Sequence, residues 1–227
     1  MSGLTRRTLL TFAAAAALLS PLAGEASAQW RRGRVQPRGR VVTADPRADG
    51  AARRVSGADP RLLSAAEQYS GDTFTIETST PRGVRVYAVN RPNAATLNAI
   101  DSGLAELFAV AHRHGYNART NFADYTVFIA RADRTRDSAG TYSPDVAIGA
   151  AQYSGSVYDK GGYVYAAGMV LSMEPCAFLI AEHERDFGRV SNVARYEGEH
   201  IVLYHNDRKL YTQTADHSRG GSHPIIQ

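Results

Sequence analysis

A chain of 227 residues allows one or two domains, and its 44% apolar content permits an ordinary core. The formal net charge is +4; only Lys160 and Lys209 are lysines among the 26 basic residues, a bias of composition more than a phosphate grip. The single cysteine, Cys176, excludes an intrachain disulfide, so the fold must stand on its core or on a bound ion.

The first 28 residues carry an address. Thr5-Arg6-Arg7-Thr8-Leu9-Leu10 leads into an uncharged Ala/Leu run to Leu19, and Ala26-Ser27-Ala28 offers a small-residue cleavage site. The paired arginines resemble a twin-arginine (Tat) signal, with Leu9 where that pattern has phenylalanine and Thr11 where it has lysine. That resemblance implies a bacterial export protein, periplasmic or secreted, whose partners in transit are the Tat translocase and a signal peptidase. It also implies transport in the folded state, which suits a protein that takes up a metal first. The apolar run is too short for a comfortable membrane anchor.

Residues 29–58 read as a disordered basic linker with scattered Pro and Gly and no helical or strand period. Eight arginines against Asp45 and Asp49 give it a net +6, so the remaining domain carries about −3. The basic balance therefore belongs to the linker. It suits a solvated spacer first, and weak contact with anionic envelope surfaces second. Aromatic interleaving is confined to Trp30, so no nucleic-acid partner is expected.

From residue 59 to 227 the pattern predicts a single α+β domain, a mixed β-sheet with two long helices packed on one face. Asp59-Pro60 opens a short helix over 61–69. Phe74–Thr78 and Val84–Val89 read as strands around Pro81-Arg82-Gly83, a hairpin signal. Asn93 caps a helix whose buried stripe is Leu97, Ile100, Leu104, Leu107, Phe108 and Ala111, closing at Gly115. Strands follow at Tyr125–Ala130, Val146–Ala151, Tyr163–Leu171 and Ala177–Ala181, with a polar loop over 131–144 and a turn at 158–162.

The last element, Ser191 to Thr214, reads as one helix capped by Ser191. At about 100° per residue, Glu197, His200, Tyr204, Asp207 and Tyr211 fall within an arc of roughly 80°. A glycine-containing tail then brings His217 and His223. Of seven histidines, four lie from His200 onward.

Other chemistries are poorly represented. There is no G-x-S-x-G elbow, phosphate loop or dinucleotide fingerprint, and Cys176 sits before a buried strand. Glu182-His183-Glu184, at a strand end, reads as a rim feature. Imidazoles and carboxylates on one helix face instead suit zinc and related ions. Strands, a helix, more strands and a ligand-bearing helix resemble the zincin metallopeptidases, and Tyr196-Glu197-Gly198-Glu199-His200 matches the end of their inverted HxxEH motif, with Tyr196 where its first histidine belongs.

The resulting assignment makes Glu197 and His200 metal ligands, with a third from His217 or His223, and zinc as the ion. Glu199 and Tyr204 are the proton-transfer or oxyanion groups, and the activity is metal-dependent hydrolysis. The alternative is a non-catalytic envelope protein whose Tyr/His/Glu helix face binds a ligand or partner. There Glu197 bonds His200, Asp207 pairs with Arg195 or Arg208, and the tyrosines pack.

Overall fold

A computed structural model describes residues 55, 57–132, 145–149, 158–160, 163–217 and 221–226. The segment expected to be an export signal, nearly all of the expected basic linker and residues 133–144 of the expected polar loop lie outside the described residues. Among the described residues no helix is long and apolar enough to cross a membrane.

Asp59 caps α1 (Pro60–Ser70) by accepting the Arg61 N–H, and Gly71 ends it in the left-handed conformation that glycine takes without strain. The hairpin β1 (Ile76–Ser79) and β2 (Arg85–Ala88) follows, closed by Gly83 at φ +97°. Asn93 accepts the Thr96 N–H to start α2 (Ala94–Arg113), as its position predicts. Strand β3 (Tyr125–Ala130) runs parallel to β2 and to β8 (Cys176–Ala181). These two strands are buried along their whole length, the reason both read as unbroken apolar runs.

The sheet order is β1-β2-β3-β8-β7, a parallel trio with an antiparallel strand at each edge. One face packs Val86, Tyr125, Val127, Phe178 and Ile180 against α2 and α3 (Phe187–Asn206). The other face packs Tyr87, Phe128 and Leu179 against α1 and a small second sheet. The architecture is thus the expected α+β arrangement, with both long helices on one face of a mixed sheet. Burying such a Leu, Ile or Phe contributes roughly 1.5–3 kcal/mol. Cys176 lies in that core as a free thiol, its pKa pushed up to about 11 by burial.

Three expectations need correction. The run Tyr163–Leu171 is two strands, β6 (Tyr163–Ala166) and β7 (Gly168–Ser172), belonging to different sheets. Gly168 permits the transfer: a Cβ there would sit 2.5 Å from Val193 Cγ1 and 2.8 Å from the Leu179 carbonyl oxygen. The expected turn at 158–162 contains β5 (Tyr158–Lys160), which pairs with β6 beside β4 (Val146–Gly149). The final helix starts earlier, capped by Asp186 and not Ser191, and breaks at Asp207 into α3 and α4 (Arg208–Thr214).

Candidate metal centre

The site begins where α2 and α3 touch. Gly103 and Gly198 bring the helices together: a Cβ on Gly103 would lie 2.1 Å from the Ser191 carbonyl oxygen, and one on Gly198 2.6 Å from Leu107 Cδ2. Val190, Ala194, Ile201 and Val202 fill that seam, which leaves His200 on the flank of α3.

Asp207 supplies the next step. It ends α3, accepts the Leu210 N–H at 2.9 Å as the cap of α4, and takes a 3.2 Å bond from the Tyr116 hydroxyl. The chain then turns back: Gly221 N–H bonds the Asp216 carbonyl and Ser222 N–H the Thr214 carbonyl, both near 3.0 Å. A Cβ on Gly221 would meet the Thr214 carbonyl oxygen at 2.3 Å, so this return admits only glycine. His217 and His223 thereby arrive beside His200.

The three imidazoles form one cluster. Ring centroids are 5.2 Å apart for His200–His217, 4.8 Å for His200–His223 and 4.6 Å for His217–His223. One ring nitrogen from each lies within 4.8 Å of the others, close enough to hold a metal ion. Bonds of about 2.0–2.1 Å to a tetrahedral ion would need ligand nitrogens about 3.4 Å apart, a spacing that a small inward shift of the rings would reach.

Glu199 holds the cluster from behind. Its fully buried carboxylate accepts His223 Nδ1–H through Oε2 at 2.9 Å and the Ile225 N–H through Oε1 at 2.9 Å. With Nδ1 donating, the free lone pair of His223 is on Nε2. His217 Nε2 is buried without a hydrogen-bond partner. Burial, then the neighbouring imidazoles, hold His200 down to about 3 and push His217 the same way, so both are neutral donors at pH 7.

The structure brings together three of the four expected ligands. Glu197 is outside the group: it faces β7, where the Val170 N–H bonds its carboxylate, and burial pushes its pKa up to about 8. Gly168 leaves room for it, since a Cβ there would be 3.5 Å from Glu197 Cγ. Of the two expected proton-transfer groups, Glu199 has both oxygens engaged as above. Tyr204 stacks edge-on against Tyr211 at 5.3 Å and His205 at 5.1 Å, with the Arg208 guanidinium 3.2 Å over its ring. Arg195 bonds Glu106 at 3.0 Å, so neither arginine expected to pair with Asp207 does so. His205 bonds the Met173 carbonyl at 2.8 Å, away from the cluster.

Tyr196 is the residue that motif matching undervalued. It stands where a histidine would complete HxxEH, and its ring lies 4.6 Å from that of His223, covering one side of the cluster. No family model, no curated protein and no solved structure matches the chain.

Proposed function

We propose that this is an exported metalloprotein in which His200, His217 and His223 hold a zinc ion with one position left open, the arrangement of hydrolytic sites. The observation that carries the reading is the convergence of three imidazoles, one with an orphaned buried nitrogen and one bonded to the buried Glu199 carboxylate. When bound, zinc supplies Lewis acidity toward a carbonyl and makes water more acidic. The chain does the rest. Glu199 fixes the proton on His223 Nδ1, and Tyr196 shields His223 from water. The resemblance of Arg6-Arg7 to a twin-arginine signal supports a reading in which the protein is exported to the periplasm or beyond after folding and loading.

Elemental analysis of purified full-length protein tests this. The expected result is one zinc per chain, lost in His200→Ala and His223→Ala. Metal-free protein whose melting ignores chelators overturns it and returns the helix face to the non-catalytic reading. Changing Arg6 and Arg7 to Lys tests the route: the protein then stays in the cytoplasm.

A further inference from the structure

Past His200, the same side of α3 carries an aromatic pair. Tyr204 follows His200 by four residues, about 40° around the helix and roughly 6 Å along it. Asp207 ends the helix, and α4 brings Tyr211 against Tyr204. The two rings meet edge to face, with centroids 5.3 Å apart and 87° between their planes. Both are partly buried, Tyr211 against the main core. The Arg208 guanidinium lies 3.2 Å over the Tyr204 ring. At that distance the two planes must lie face to face, so the N–H fork points sideways, past the ring.

What these groups lack is an acceptor. Among the described residues no carboxylate pairs with Arg208 and neither phenol makes a hydrogen bond, while both hydroxyls keep surface toward water. The carboxylate next to them is spent: Asp207 Oδ1 takes the Leu210 N–H at 2.9 Å and Oδ2 the Tyr116 hydroxyl at 3.2 Å. Lys209 adds a second cation beside Arg208. His205, whose ring also touches Tyr204, is committed to the Met173 carbonyl at 2.8 Å. Burial, then Tyr204, hold the Tyr211 phenol above its ordinary pKa, and Arg208 acts in the opposite sense, so both neighbours lie close to that hydroxyl. A phenol that keeps its proton donates. A stacked guanidinium with two hydroxyl donors beside it matches the oxygens of an anion.

We propose that Arg208, Tyr204 and Tyr211 form a binding site for an oxyanion, the carboxylate or phosphate group of a small ligand. Arg208 supplies the charge and a two-pronged contact, and each phenol supplies one hydrogen bond. Tyr204 has a second task, as the platform that holds the guanidinium in place. The site stands without any ion at the histidines, yet it sets the anion one helical turn from His200.

Calorimetric titration of the full chain with inorganic phosphate and, separately, with acetate tests this at neutral pH and constant ionic strength. A chelator is present, so that no ion at the histidines competes for either anion. Saturable binding of one anion per chain is expected, and the tighter of the two names the group, phosphate or carboxylate. Arg208→Gln is expected to weaken it roughly tenfold or more, the scale of a charge-assisted hydrogen bond. Tyr204→Phe and Tyr211→Phe keep both rings and the stack, so a loss of roughly two- to tenfold in each reads the hydroxyl alone. Arg208 is exposed and the phenyl rings stay, so melting temperatures should match the wild type. Saturation by neither anion overturns the site, and so does wild-type affinity in Arg208→Gln. Wild-type affinity in both phenylalanine variants overturns the three-donor site in favour of a bare surface charge.

Discussion

Glu199 Oε2 accepts a hydrogen bond from His223 Nδ1 at 2.9 Å, and this pair decides which nitrogen of His223 faces the cluster. A carboxylate behind a ligating imidazole fixes its tautomer and raises its basicity. Glu199→Gln keeps an acceptor for the Ile225 N–H but sets an amide N–H₂ against Nδ1–H. His223 must then move its proton to Nε2, which removes the lone pair from the cluster. Zinc affinity is expected to fall roughly 10–100-fold, measured by competition with a chromophoric chelator. Unchanged affinity would show that His223 does not ligate.

Glu197 gives a pH signature. Burial raises its carboxyl from the ordinary 4.5 to about 8, so the folded chain holds a proton that the unfolded chain releases. The stability this contributes is complete below pH 4.5 and is lost as pH rises through about 8. Glu197→Gln keeps the acceptor for Val170 and cannot ionise. The variant is expected to gain on the wild type between pH 5 and pH 9, by a few kcal/mol at most, in denaturant melts across that range. A constant difference would place Glu197 in water.

The two glycines at the α2–α3 seam differ in what they meet. The added methyl in Gly103→Ala strikes the Ser191 carbonyl, which is backbone and cannot step aside. In Gly198→Ala it meets the end of Leu107, and of Leu104 at 3.0 Å, both side chains that rotate. Gly103→Ala is therefore expected to cost roughly 1–3 kcal/mol and Gly198→Ala distinctly less, in urea midpoints. The reverse order would contradict the crossing described.

Asp207→Ala removes the α4 cap and the partner of the Tyr116 hydroxyl together. A cost of about 1 kcal/mol or somewhat more follows from the cap alone. Because α4 leads into His217, zinc affinity should fall along with melting temperature. Loss of stability with affinity intact would mean that the tail finds its place without α4.

Much of the fold was legible because its signals are local. Asp59 and Asn93 cap the helices they precede, Gly83 closes the hairpin, and β3 and β8 read as apolar runs since both faces are covered. The jump between sheets at Ala167 was not legible, because residues 163–172 keep a strand-like composition throughout and the reason for the break is Val193 on a distant helix. The helix break at Asp207 has the same character: aspartate is tolerated inside a helix, and its pull as a cap shows only beside Tyr116. At the site, helical spacing picked out His200, and the tail offered His217 and His223. Spacing also favoured Glu197 over Glu199. Only the packing of α3 on β7 decides that Glu197 turns to the sheet edge while its neighbour two residues on meets the returning tail.

The Ile225 amide and the His223 ring share one carboxylate, and Ile225 is itself buried in the main core. On the proposed metal reading, filling of the centre and closure of the C-terminal segment are linked equilibria, each drawing on the same free energy. Chelation should accordingly expose the segment around Ile225 to a protease, turning the rate of clipping there into a gauge of ion occupancy.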